Sequence, residues 1–165
     1  ILGNTVVELG QPKRGDVMVF KYPEDNSINF IKRVVGVPGD TVEYRDKVVY
    51  VNGYAQTLST SPVDKNVAMP PLTEEAIEKL GEREHRIWRR QTQGRDFGPI
   101  LIPDSQYFVM GDNRDASNDS RASNGPGLVP LENVVGRAET VLFTFERCRR
   151  EDGLYCPRGR VWRGL

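Results

Sequence analysis

The sequence predicts a mainly β fold that carries a mixed, partly helical insertion. The first observation is that sixteen glycines and eleven prolines among 165 residues indicate many turns and therefore short strands. The second is that apolar residues fall in short β-branched and aromatic runs ending at turn residues. The third is that polar, charged sequence interrupts these runs at 54–99. We therefore expect a single domain, 1–165, with a β core formed by 1–53 and 100–165.

The first 53 residues are predicted to form a β-meander. A polar turn is expected at 24–26, and Asn52-Gly53 is expected to close the last hairpin. Pro38-Gly39 fits the centre of a type II turn, because proline fixes the first φ and glycine tolerates the positive second φ. Runs rich in β-forming residues place the strands at 16–22, 28–35, 41–44 and 47–51.

One segment of the insertion 54–99 has a helical pattern. Residues 73–81 combine helix formers with Thr73 at the N-cap position and Gly81 just past the end. The sequence therefore predicts a short helix here. From 82 to 95, arginines are interleaved with acidic residues, which favours a solvated face over a nucleic-acid patch.

The charge and the cysteine spacing argue against a nucleic-acid-binding protein and against a metal site. Basic and acidic residues number 23 each, so the net charge does not indicate a nucleic-acid partner. Seven residues separate Cys148 from Cys156, which is wrong for a C-x-x-C pair, and His85 is distant from both. We expect no metal and no cofactor. The two cysteines are either free thiols or a disulfide across an Asp-Gly turn, and the turn favours the disulfide.

Lys32 is the first candidate for chemistry. Because side chains alternate on a strand, it shares a face with Ile28, Phe30 and Val34. Burial there would lower the pKa of its amine, which is the condition under which a lysine serves as a general base. The alternative, which spacing alone favours, is a lysine at a sheet edge whose amine reaches solvent.

A polar loop is the second candidate. Residues 111–121 read GDNRDASNDSR and follow an apolar strand. Small hydroxyls beside Asp/Arg pairs can form a network that holds a catalytic group in place. The alternatives are a solvated turn and a Ca²⁺ loop, but the spacing lacks the D-x-D-x-D-G pattern and closing Glu of an EF-hand.

Three segments together resemble the motif boxes of bacterial type I signal peptidases. They are RGDVMVF at 14–20, FIKRVVGVPGD at 30–40 and GDNRDASNDSR at 111–121, in the order of that family. The resemblance implies the largely β fold shared with self-cleaving repressor proteases of the LexA type. It also implies a Ser–Lys peptidase without cofactor that cuts signal peptides from preproteins after a small-x-small site, with small residues at −1 and −3.

The resemblance also implies roles for individual residues. Lys32 would be the general base that takes the serine proton, and Ser117 would hydrogen-bond and orient its amine. Two ion pairs would support them structurally: Arg33 with Asp112, and Asp119 with Arg121.

The nucleophile of that family is missing from this sequence. It belongs to a Ser-Met-x-Pro-like motif upstream of the first box, and no serine occurs between Ile1 and Lys13. Residues 67–72 lack a serine and follow the lysine, and Ser27 falls in an expected turn. We therefore expect an N-terminally truncated, inactive ectodomain. The resemblance places its parent in the bacterial cytoplasmic membrane, with this part on the periplasmic or outer side and the membrane anchor missing.

Two other interpretations stay open. A non-catalytic β module could bind extended peptides along a sheet edge, and the lack of a serine box in the parent protein would favour it. The cytosolic repressor-protease branch is disfavoured by the long third box, by the expected disulfide and by the absence of a DNA-binding segment in this chain. The arginine-rich residues 147–163 fit either contact with anionic lipid headgroups or a solvated tail.

Overall fold

The computed structural model of the chain describes residues 10–60, 72–92, 94–141 and 163–164. These residues form fourteen strands and one 3₁₀ helix, Leu131–Asn133. The predicted mainly β fold class is therefore confirmed. The strands are β1 (Val17–Tyr22), β2 (Asp25–Gly36), β3 (Thr41–Arg45), β4 (Val48–Val51), β5 (Tyr54–Ala55), β6 (Leu58–Thr60), β7 (Thr73–Leu80), β8 (Arg83–Arg90), β9 (Phe97–Leu101), β10 (Gln106–Met110), β11 (Val129–Pro130), β12 (Val134–Ala138), β13 (Thr140–Val141) and β14 (Arg163–Gly164).

A five-stranded antiparallel sheet holds the long strand β2 near its centre. The strand order is β11-β10-β2-β1-β12. In the β1–β2 register Met18 lies opposite Lys32, and Phe20 lies opposite Phe30. Directly opposed residues share a face, so Lys32 lies on the face of a buried cluster that includes Met18, Phe20 and Val34.

A second sheet, with the order β5-β4-β3-β9, packs against the opposite face. Val35 and Phe108 of the first sheet join Val42 and Tyr44 of the second in one buried cluster. The chain passes between the sheets at Pro38-Gly39, where Gly39 has the positive φ of 85° that a type II turn requires.

The predicted helix at 73–81 is wrong, because this segment is strand β7. It pairs with β8 from Thr73 opposite Arg90 to Leu80 opposite Arg83, in a sheet of order β6-β7-β8. Every second side chain, namely Ala76, Glu78 and Leu80, is buried. Period-two burial therefore outweighs helix propensity. Gly81, with φ of 60°, forms the hairpin turn instead of ending a helix.

The polar turn expected at 24–26 is displaced by one residue. Pro23 and Glu24 form the turn, and Asp25 already pairs with Tyr22 at the start of β2. Ser27 is consequently a strand residue and not a turn residue.

Candidate active site

The Lys32 side chain is half-buried on the apolar face of β2. Its Nζ lies 5.2 Å from the centroid of the Phe30 ring and donates a hydrogen bond to the Ile31 carbonyl oxygen at 3.2 Å. The aromatic ring and the neighbouring strand thus exclude part of the water that would solvate the ammonium.

Two opposing effects act on the Lys32 amine. Burial lowers its pKa below the ordinary value, and the carboxylates of Asp119 and Asp112 raise it in part. The net effect is a lowered pKa, because loss of hydration outweighs the two attractions. The neutral amine, which can accept a proton, is therefore populated at a lower pH than for an exposed lysine.

Arg33 points away from Lys32 and binds the polar loop. Its Nε donates to Asp112 Oδ1 and its Nη2 donates to Asp112 Oδ2, both at 2.8 Å. A third bond, from Nη1 to the Gly15 carbonyl oxygen, is also 2.8 Å long. The loop 111–121, hereafter the site loop, is thereby attached to β2 beside Lys32.

Asp119 organises the interior of the site loop. Its fully buried carboxylate accepts the Gly111 backbone N–H at 3.0 Å, the Arg121 backbone N–H at 3.2 Å and two bonds from the Arg121 guanidinium, at 2.9 and 2.8 Å. Arg121 in turn donates from Nη2 to the Arg114 carbonyl oxygen at 2.6 Å and lies 4.8 Å from the Tyr44 ring centroid. These hydrogen bonds connect Gly111, Arg114, Asp119 and Arg121 within the loop.

Ser117 packs directly over Gly111. A Cβ added at Gly111 would lie 2.1 Å from Ser117 Oγ, so only glycine leaves room for this serine. In the described part of the chain the Lys32 amine makes no hydrogen bond to Ser117; its bond goes to Ile31. The structure therefore contains both expected ion pairs, whereas the orienting role of Ser117 stays a prediction.

Ser27 cannot reach Lys32 along β2. The two residues are five positions apart on one strand, which corresponds to roughly 16 Å, and they face opposite sides. The Ser27 hydroxyl instead donates to Asp25 Oδ1 at 2.6 Å. It is therefore a poor partner for a Lys32 base.

A buried charged cluster that was not predicted from the sequence lies behind the site loop. Arg114 donates to both carboxylate oxygens of Glu78, from Nη1 to Oε1 at 2.6 Å and from Nη2 to Oε2. His85 Nε2 lies 3.2 Å from the same Oε2. Glu78 alternates with the apolar residues Ala76 and Leu80, and this period-two pattern was the available signal for a buried strand carboxylate.

Other sequence predictions fall partly outside the described residues. Cys148, Cys156 and the rest of 147–162 belong to the part that is not described, as do residues 1–9. Among the described residues, no helix has the length and apolar character needed to cross a membrane. Nor do the described His, Cys, Asp and Glu side chains form a group of three that could hold a metal ion.

The chain is similar to a family model, to curated relatives and to a solved structure. The family model described as "Signal peptidase, peptidase S26" matches residues 1–143. Signal peptidase I of Pseudomonas fluorescens is 44% identical over 159 residues, covering 88% of this chain and 54% of the relative. That of Bacillus licheniformis is 38% identical over 148 residues, covering 90% and 68%. A solved signal peptidase I from Enterococcus faecalis V583 is 28% identical, with a TM-score of 0.46, over 78% of this chain and 97% of that one. The chain spans about half the length of the Pseudomonas relative.

Proposed function

The chain belongs to the signal peptidase family, peptidase S26, and from that premise we propose that its parent protein removes signal peptides from exported preproteins with a Ser–Lys dyad. The observation that carries this proposal is the Lys32 amine, half-buried beside Phe30, with a lowered pKa and a polar loop attached to its strand. An ordinary surface lysine would have neither the apolar wall nor the organised loop.

Lys32 serves in this proposal as the general base. Its neutral amine takes the proton from a serine hydroxyl as the serine oxygen attacks the scissile carbonyl carbon. The resulting ammonium then gives its proton to the leaving amine, and the peptide C–N bond breaks. Water, deprotonated by the same amine, releases the acyl group from the serine and restores the site.

The opposing effects on the Lys32 pKa suit both the uptake and the release of the proton. Burial favours the neutral amine before attack, whereas Asp119 and Asp112 favour the ammonium that exists between the two proton transfers. A buried lysine without these carboxylates would accept the proton less readily. The two acidic residues therefore act on the base electrostatically, in addition to their contacts with Arg33 and Arg121.

The serine nucleophile comes from outside these residues in this proposal. No serine lies between Ile1 and Lys13, and Ser27 is too far along β2. The chain alone is therefore expected to be inactive. Ser117 would turn the Lys32 amine toward the incoming serine, since catalytic hydrogen bonds often form only in the complete site. The parent protein would act at the outer side of the bacterial cytoplasmic membrane on preproteins with small residues at −1 and −3.

The test is cleavage of a preprotein by the full-length parent protein and by its Lys32→Met variant. We expect cleavage after a small-x-small site and a loss of at least about 100-fold in the variant, because the general base is gone. Lys21→Met is the matched control, since Lys21 is an exposed lysine on the adjacent strand β1. It should cleave like the wild type.

Two results would overturn the proposal in different ways. Cleavage that survives Lys32→Met would leave the family intact but move the base to another residue. Failure of the wild-type parent to cleave, with retained binding of extended peptides, would favour a non-catalytic β module.

A further inference from the structure

The hairpin β7–β8 is bonded directly to the site loop. The Trp88 backbone N–H donates to the Asp112 carbonyl oxygen, and the Arg114 N–H donates to the Trp88 carbonyl oxygen, both at 2.8 Å. These two bonds form a parallel bridge between Trp88 and Asn113. The insertion thus extends its sheet onto the loop that carries Ser117 and Asp119.

The Glu78–Arg114 ion pair forms a second attachment between the hairpin and the loop. The Arg114 side chain is 0% exposed and that of Glu78 is 2% exposed. Both guanidinium Nη atoms of Arg114 bind the Glu78 carboxylate, and His85 Nε2 from β8 lies 3.2 Å from Glu78 Oε2. The geometry fixes the direction of the loop backbone at Arg114, since a two-pronged pair tolerates little rotation.

A third attachment lies one residue further along the site loop. The Asp115 carboxylate accepts the Arg90 backbone N–H at 2.8 Å and the Lys47 amine at 2.9 Å. Lys47 also donates to the Arg90 carbonyl oxygen at 2.7 Å. Asp112, Arg114 and Asp115 are therefore bonded to the hairpin, while Arg33 holds Asp112 from the β2 side.

A buried ion pair contributes little net stability, because desolvation of two charges offsets most of their attraction. In measured cases, well-packed apolar side chains of similar volume often replace such a pair with no loss of stability. Apolar side chains would not fix the angle between the hairpin and the loop, because their contacts are not directional. The charges at Glu78 and Arg114 are thus better explained by geometry than by stability.

We propose that the hairpin β7–β8 positions the site loop, and that Glu78 and Arg114 are positioning residues that set where Asp112, Ser117 and Asp119 stand relative to the Lys32 amine. The kinetic part of this inference rests on the proposed function. The electrostatic part does not, because it concerns the environment of Lys32 in this chain.

The decisive variant carries both Glu78→Leu and Arg114→Met. These substitutions remove both charges and keep the core filled. Glu78→Gln is the single change, and it leaves the buried guanidinium short of a partner. Glu74→Gln is the matched control, because the Glu74–Arg89 pair lies on the same hairpin and makes no bond to the site loop. Folding of each variant is checked by its denaturation midpoint.

The first readout is the Lys32 pKa, measured by NMR on lysine-labelled protein. The chain has six lysines, and the Lys32 signal is the one lost in Lys32→Met. We expect the double variant to lower this pKa by about half a unit or more. The apolar wall belongs to β1 and β2 and stays in place, whereas the carboxylates that raise the pKa move away with the loop.

The second readout is preprotein cleavage by the full-length parent. In the double variant kcat should fall about tenfold or more with little change in KM, because the loop residues around the Lys32 amine are displaced while β1 and β2 stay in place. Glu74→Gln should change neither parameter. If the parent does not cleave at all, the proposed function fails, and the NMR titration still decides the positioning role.

Two outcomes would overturn the inference. A double variant that folds normally, with the wild-type Lys32 pKa and wild-type kcat, would show that the hairpin does not position the loop. A double variant that does not fold would assign the pair to structure alone.

Discussion

Arg33 and Asp112 join β2 to the site loop through two hydrogen bonds of 2.8 Å. The same guanidinium donates to the carbonyl oxygen of Gly15 at 2.8 Å. Gly15, Arg33 and Asp112 belong to the three separate motifs found in the sequence. One side chain therefore joins all three, and Lys32 is the residue immediately before it.

Arg33→Lys is expected to cost about 2 kcal/mol of stability. A lysine cannot reproduce the three directed bonds, and the loop side of the pair would lose a partner. Urea denaturation measures the change. Arg45→Lys is the control, since its pair with Glu43 is partly exposed and should cost less than about 0.5 kcal/mol. Equal costs for the two variants would contradict the joining role of Arg33.

Gly111→Ala should displace Ser117. The new Cβ would lie 2.1 Å from Ser117 Oγ and 2.5 Å from Ser117 Cβ, and the next atom is 3.8 Å away. We expect cleavage by the parent protein to fall at least about tenfold, with a stability loss of about 1–3 kcal/mol. Gly10→Ala, which meets nothing within 4 Å, is the control.

A second substitution separates a local clash from a general defect at Gly111. Adding Ser117→Gly to Gly111→Ala removes both close contacts, so it should restore stability without restoring cleavage. Stability that stays low in the double variant would mean that Gly111 is needed for a reason other than Ser117.

Asp119→Asn should lower the pKa of Lys32 further. Its carboxylate is the larger of the two attractions that raise this pKa, and its loss also leaves the positive charge of Arg121 without its partner. Both changes disfavour the ammonium, so the acid limb of kcat/KM should move to lower pH. Asp104→Asn, in the exposed turn before β10, is the control. An unchanged limb, or one moved to higher pH, would contradict this account.

The β core could be predicted because its signals are local. The β-forming runs of β1 and β2, the alternation along β3 and β4, and the turns at Gly39 and Asn52-Gly53 all depend on neighbouring residues. The helix predicted at 73–81 was wrong for the same reason, because it was based on local signals alone. Thr73 and Gly81 suit the ends of a helix, yet they also suit a strand followed by a tight turn, and only the pairing with β8 decides between them.

The site was predictable only where its residues lie in motifs. Lys32 could be singled out by the face it shares with Phe30 and Val34. The Glu78–Arg114 pair could not, because the partners are 36 positions apart and a glutamate in a charged segment usually faces water. Its alternation with Ala76 and Leu80 marks Glu78 as facing the buried side of a strand, but its pairing with Arg114 depends on how the hairpin docks, which no local pattern specifies.

Glu78 should make the fold sensitive to acid. Burial alone would raise its pKa, but Arg114 and His85 more than offset this and lower the pKa to about 2, against 4.5 for a free glutamate. A carboxyl group with a lowered pKa in the folded state stabilises the fold above pH 4.5, and this contribution is lost as the pH falls toward 2.

Urea denaturation between pH 6 and pH 2.5 tests this sensitivity. The Glu78→Leu variant with Arg114→Met has no ionisable group at this position, so its stability should fall less steeply over that interval than the wild type's. Glu74→Gln should follow the wild type, since its pair with Arg89 is partly exposed and contributes little. Parallel curves for the wild type and the double variant would mean that Glu78 does not release its proton more easily when folded, and that the buried pair lacks the electrostatic strength its geometry indicates.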